Sequence, residues 1–171
     1  MNQRVNIIYI SISGNTKMML EAAAEGAREA GAEVRLIEAT ESTGADVENC
    51  DALIWGTGNY YGYMHGLLKA WFDREHGRLA RKAKTGEISP KPYFCCLSAA
   101  GNPYRQLPTI ERLSRGMNLK KVFEPATATK KPTPEVLAEC RELGQKLVAI
   151  NVAETDDLYV PPPLPGPAKS P

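Results

Sequence analysis

The sequence predicts an α/β domain, a doubly wound five-stranded parallel sheet with helices on both faces. Three observations carry that expectation. Short apolar runs alternate along the chain with segments of helical periodicity. The run Ala52 to Gly56 is apolar throughout, as a strand covered on both faces requires. Three strand-end segments have unusual compositions, and such a sheet binds ligands outside the carboxyl ends of its strands.

Strand one is Arg4 to Ile10. A helix follows from about Asn15 to Ala30, with Gly31 as its stop. Met18, Met19, Ala22, Ala23 and Ala27 give it a mostly one-sided apolar stripe. Strand two is Glu33 to Ile37, and strand three is Ala52 to Gly56. Helix two, Met64 to Arg78, carries Leu67, Leu68, Trp71 and Phe72. The basic, polar stretch Arg81 to Lys91 is expected as a loop. Strand four is Tyr93 to Leu97, helix three is Leu107 to Met117, and a short fifth strand is expected near Val122 to Phe123. Thr133-Pro134-Glu135 places an N-cap and a first-turn Pro before the last helix, which runs to about Val152.

These elements assign residues 1–153 to one domain. The remainder, 154–171, reads as a Pro-rich tail. Pro161 to Pro167 cannot be helix or inner strand. It is expected as extended polyproline II or as a disordered segment, loose or laid against its own domain or a second subunit.

At 171 residues the chain is long enough for one domain with a real core. A net charge of +1 gives no electrostatic case for nucleic acid. No apolar stretch approaches the ~20 residues of a membrane helix, and the N-terminus shows no secretory leader. The four cysteines, Cys50, Cys95, Cys96 and Cys140, lack metal-site or C-x-x-C spacing. They read as buried free thiols of a cytoplasmic protein. Cys95 and Cys96 should face opposite sides of the sheet.

The first strand-end segment is Ser11-Ile12-Ser13-Gly14-Asn15-Thr16. A strand that ends in hydroxyls, Gly and Asn and then enters a helix is suited to a phosphate. No Gly-Lys-Ser/Thr occurs in it, the spaced glycines of a dinucleotide site are absent, and strands one and three end in Tyr9-Ile10 and Trp55-Gly56 rather than acids. A mononucleotide or similar monoester remains. Ser11 to Thr16 resembles, position by position, the Thr/Ser-x-Thr/Ser-Gly-Asn-Thr loop of the flavodoxin-like FMN proteins, and Tyr9 also fits. Leu20 departs from the Ala common in that family. The resemblance implies a flavodoxin-like fold and non-covalent FMN. Ser11, Ser13, Asn15 and Thr16 would then supply side-chain donors, and the Ile12 to Thr16 backbone, through Gly14, would supply N–H groups.

The second segment is Gly56-Thr57-Gly58-Asn59-Tyr60-Tyr61-Gly62-Tyr63. Glycines admit close backbone approach, and tyrosines offer flat faces with polar tips. The segment looks like the flavin loop of the flavodoxin-like quinone reductases through Gly56, Thr57, Gly62 and Met64, with Gly58 replacing a Pro. It also resembles short flavodoxins through Gly58-Asn59, and the two alignments both stand. The third segment, Ser98-Ala99-Ala100-Gly101-Asn102-Pro103-Tyr104-Arg105, is small enough to wrap the pyrimidine edge of a flavin as the family's third loop does. Tyr104 could stack on the ring or lie on the surface. Arg105 could meet an anionic substrate or nicotinamide phosphate.

The resemblance covers about residues 4 to 150. It implies an oxidoreductase in which the cofactor does the chemistry, so no catalytic acid or base and no metal is assigned. His65 could donate to a substrate or face solvent. Two redox activities compete. One is an FMN-dependent reductase passing electrons from NAD(P)H to a quinone or another small acceptor. The other is a flavodoxin-type carrier docking to redox proteins, for which the basic residues Arg74, Arg78, Arg81, Lys82 and Lys84 offer a face toward an acidic partner. Familiar carriers of that type are strongly acidic, which favours the reductase here. A non-redox binding module is the third alternative. A homo-oligomer could complete the open side of the site, with the tail as its arm.

Overall fold

The structure, a computed structural model, describes residues 2–160. It contains β1 (Arg4–Tyr9), α1 (Asn15–Glu29), β2 (Glu33–Glu38), α2 (Gly44–Glu48), β3 (Ala52–Tyr60) and β4 (Tyr63–Met64). These are followed by α3 (Gly66–Lys84), β5 (Lys91–Ala99), α4 (Leu107–Gly116), β6 (Leu119–Lys121), β7 (Ala126–Thr129) and α5 (Pro134–Val148). The sheet order is β2-β1-β3-β5, with β6 and β7 sharing the place beyond β5. Among the described residues only β4 is antiparallel, folded back on the end of β3. The expected doubly wound architecture is therefore present, with its fifth position split in two.

Consecutive strand residues feed two separate cores. Val5, Ile7, Tyr9, Ile54, Phe94 and Cys96 face α1 and α5. Ile8, Leu53, Trp55, Cys95 and Leu97 face the side covered by α2, α3 and α4. Cys95 and Cys96 thus point opposite ways, as the strand period requires. All four cysteines are buried and free. Burial pushes the Cys50 thiol up to about 11, which keeps it an unreactive thiol. The second core centres on Trp55, Trp71 and Phe72, packed edge to face. Each such side chain contributes ~1.5–3 kcal/mol by burial. The indole N–H groups are satisfied by Ser114 (2.9 Å) and Ser42 (3.2 Å).

Several elements differ from expectation. The Arg81–Lys91 loop begins late, because α3 continues to Lys84. Three of the expected docking cations are used within the fold: Arg78 and Lys82 both bind Glu48 of α2, and Arg74 binds Glu75. Hydrogen bonds, first from Lys82 and then from Arg78, hold the Glu48 carboxyl below its usual range. The fifth strand is not at Val122–Phe123. Glu124-Pro125 follows, and Pro125 lacks the N–H a ladder needs. The chain therefore pairs before that point as β6 and after it as β7. Residues 157–158 lie on the domain: Leu158 N–H donates to the Lys121 carbonyl (3.0 Å), and Asp157 accepts from Lys121 N–H (3.3 Å). The Pro161–Pro167 expectation lies outside the described residues.

Two glycines set the seat of α1. It crosses α5 so closely that a Cβ on Gly26 would fall on the Arg141 carbonyl, and one on Gly144 would fall on the Ala23 carbonyl. Arg141 and Gln145 then bind Glu29 across the crossing. Gly56 plays a related part in β3. Its missing side chain makes room for Leu20, the residue that departs from the family's Ala.

Gly26→Ala is expected to destabilise the protein by about 2 kcal/mol, through overpacking against backbone. Helix propensity alone would stabilise it by ~1 kcal/mol. Urea unfolding reads the difference: a lowered midpoint is expected, and an unchanged or raised one contradicts the close crossing.

Candidate functional site

The carboxyl ends of β1, β3, β5 and β7 converge on one side of the molecule. α1 starts there, with Gly14, which has no side chain of its own to cap the helix, at its N-cap (φ 85°). Its first turn is fixed over β5 by a buried hydrogen bond, Thr16 Oγ1 to Ser98 Oγ at 2.8 Å. Ser11 Oγ accepts from Lys17 N–H (3.2 Å), closing the loop on itself. Ile12 is exposed, and its N–H reaches the Tyr60 hydroxyl at 3.3 Å.

The second segment is a hairpin rather than a loop. β3 continues through Gly58 and Asn59 to Tyr60, with Asn59 opposite Met64 and Tyr60 opposite Tyr63. Tyr61 (φ 55°) and Gly62 (φ 89°) form the two-residue turn. Positive φ at both positions is the requirement of the turn that matches strand twist. Thr57 is buried; its hydroxyl donates to the Gly58 carbonyl (3.0 Å) and accepts from His65 N–H (3.3 Å). His65 caps α3, its Nδ1 accepting from Leu67 N–H (3.1 Å), with its ring edge-on to Tyr60.

Asn59 joins the hairpin to the third segment. Its Oδ1 accepts from Gly62 N–H (2.7 Å), and its Nδ2 donates to the Asn102 carbonyl. Asn102 Oδ1 in turn accepts from Tyr104 N–H (2.8 Å). Between these walls lie two adjoining cavities. The inner one, about 340 Å³, is lined by Ser13, Asn15, Gly58, Asn59, Tyr60, Ser98, Ala99, Ala100 and Lys130. The outer one, about 300 Å³, shares Asn59, Ala99 and Ala100 and adds Tyr61, Gly62, Gly101, Asn102 and Arg105. Two wider depressions, around Gln3 and around Lys120, lie at the amino ends of the strands, where open α/β sheets do not bind ligands.

The three expected segments therefore meet. Ser13, Asn15, Gly58 to Gly62 and Ser98 to Asn102 line the cavities. Ser11, Gly14, Thr16 and Thr57 stand behind them as supports. Tyr104 lines neither cavity; its hydroxyl lies 3.4 Å from Thr127 Oγ1. No carboxylate lines either cavity, and among the described residues no cluster could hold a metal ion.

Comparison with solved structures agrees with this geometry. The two-electron reduced flavodoxin of Megasphaera elsdenii superposes with a TM-score of 0.70 at 18% identity, covering 85% of this chain and 99% of that one. The fold is flavodoxin-like. No family model matches it. Among curated relatives, an NAD(P)H dehydrogenase (quinone) of Methylocella silvestris is 34% identical over 105 residues, covering 50% of this chain and 53% of the relative. A flavodoxin of Aquifex aeolicus is 39% identical over 99 residues, covering 57% of this chain and 50% of the relative. The matches thus span about half the length of either relative.

One residue that lines the inner cavity escaped the sequence reading. Lys130 follows β7, and β7 (Ala126–Thr129) has no apolar run to announce it. The visible signal was the cation pair Lys130-Lys131 before Pro132, and it had no strand to be placed on.

Asn59→Ala is expected to release the hairpin turn. Gly62 amide exchange should quicken about tenfold while global stability falls by only about 1 kcal/mol. Unchanged Gly62 protection would show that the side chain is no clamp.

Proposed function

We propose that the joined cavities hold FMN and that the protein is an FMN-dependent oxidoreductase. In this reading it passes electrons from NAD(P)H to a quinone or another small acceptor. The observation that carries the proposal is the continuity of a polar seat with a small-residue cleft. The inner cavity offers hydroxyl and amide groups from Ser13 and Asn15 beside the start of α1. Those donors fit a phosphate monoester. The outer cavity is walled by the backbone of Gly62 and Ala99 to Asn102, which lets a flat ring lie close to main-chain groups.

When bound, FMN would supply the redox chemistry; the chain binds, orients and shields it. Ser13 and Asn15 would anchor the phosphate. Thr16 and Ser98 hold that anchor in register with the cleft. Asn59 keeps the hairpin and the Ala99 to Asn102 segment at a constant separation. Arg105, lying against Gly62, would offer its guanidinium to an anionic group on the second reactant.

A carrier reading has one observation in its favour. Of the exposed large apolar residues among those described, Ile12, Tyr61, Tyr63, Leu67 and Tyr104 lie in or next to the segments that border the site, and Leu158 and Val160 do not. Such a rim could meet a redox protein or a second copy of this chain. Against it, Arg74, Arg78 and Lys82 of the basic face of α3 are paired within the fold by Glu48 and Glu75. Among the described residues no helix is long and apolar enough to cross a membrane.

The expected outcome is a stoichiometric yellow complex on adding FMN, with flavin fluorescence quenched. Anaerobic NADPH or NADH should bleach it rapidly, and a quinone should restore the colour. Bleaching only by a reduced protein partner would favour the carrier. Failure to take up FMN would overturn both readings.

A further inference from the structure

Lys130 occupies a place that the sheet register dictates. β7 pairs with β5 up to Ala99 opposite Thr129. The Lys130 N–H then donates to the Ala99 carbonyl at 2.7 Å, and its backbone turns into the left-handed region at φ 64°. That conformation is uncommon for a residue with a side chain. It puts Lys130 at the carboxyl edge, one strand beyond Ser98. Ser98 holds the first turn of α1 through Thr16. The lysine and the Ser13-Asn15 seat therefore line the same cavity, although they are far apart in sequence.

The charge of Lys130 is not used elsewhere. Lys69, Arg78, Lys82, Lys121, Arg141 and others each pair with a carboxylate, whereas Lys130 pairs with none among the described residues. It is solvent-exposed, so a lysine here would be free to reach an anion entering the inner cavity. A phosphate monoester carries roughly −1.5 to −2 charges at neutral pH. The Ser11–Thr16 loop brings no cation to such a group, and no carboxylate in the cavity competes for the lysine.

We infer that Lys130 is a phosphate-binding residue, the counter-charge of an otherwise neutral seat, and that it makes the site selective for phosphorylated over unphosphorylated flavin. This rests on the reading of the cavities as an FMN site. Lysine serves such a role as a mobile point charge, with no demand for bidentate geometry.

The test compares FMN and riboflavin binding, followed by flavin fluorescence, in the wild type, Lys130→Met, Lys130→Arg and Lys130→Gly. Glycine tolerates the left-handed turn, so that variant removes the charge without straining the backbone. FMN affinity should fall about tenfold or more in the Met and Gly variants and recover largely with Arg, with riboflavin affinity changed less than twofold. Inorganic phosphate should compete with FMN less well in the Met and Gly variants. Equal losses for FMN and riboflavin would place the lysine at the ring and overturn the assignment. Unchanged FMN binding in Met and Gly would overturn it while leaving the FMN reading intact. A wild type that binds neither flavin would overturn the FMN reading itself, and the assignment with it.

Discussion

The site depends on one buried hydrogen bond, between the hydroxyls of Thr16 and Ser98. It links the first turn of α1 to the end of β5 across 82 residues of sequence. A single such bond is worth only about 1 kcal/mol net, so its importance is positional. It ties the first turn of α1 to the end of β5, beside the small-residue segment Ala99 to Asn102. The α1–α5 crossing at Gly26 and Gly144 supports the same placement from the other end of the helix.

The second constraint is the separation of the two walls. The hairpin and the third segment would drift apart as independent loops. Asn59 prevents this by spending its carbonyl on the turn and its amide on the facing backbone. The walls are then lined by glycine, alanine and amide groups, with charge supplied only by Lys130 and Arg105. An acid-free cavity flanked by two cations differs from the acidic surroundings expected of a flavodoxin-type carrier. Positive charge nearby favours the anionic form of any bound group.

Much of this was legible in the sequence where residue type alone carries the meaning. Ser11 to Thr16 stood out as a candidate phosphate seat because hydroxyls, Gly and Asn lie there between strand and helix. The roles within it were less legible. Thr16 reads as a donor to the ligand, yet burial turns it to Ser98, a partner that only the folded chain supplies. The Gly/Tyr segment was recognisable as unusual, but its hairpin was not, because Gly56 and Gly58 carry no β propensity and the turn is Tyr-Gly. β7 was invisible for a related reason. Its Ala-Thr-Ala-Thr run owes its burial to neighbouring elements, and with the strand went Lys130. The short helix α2 is too brief for periodicity to reveal, and Pro125 divided a strand whose centre seemed to be Val122–Phe123.

The account stands on the claim that the start of α1 and the hairpin–Ala99 cleft form one continuous cofactor site. A crystal structure of the protein with FMN tests this most directly. The phosphate is expected within hydrogen-bond reach of Ser13, Asn15 and the adjoining backbone N–H groups, with the ring between Asn59–Gly62 and Ala99–Asn102. A flavin seated at the amino ends of the strands, or with its phosphate away from residues 11–16, would contradict the account.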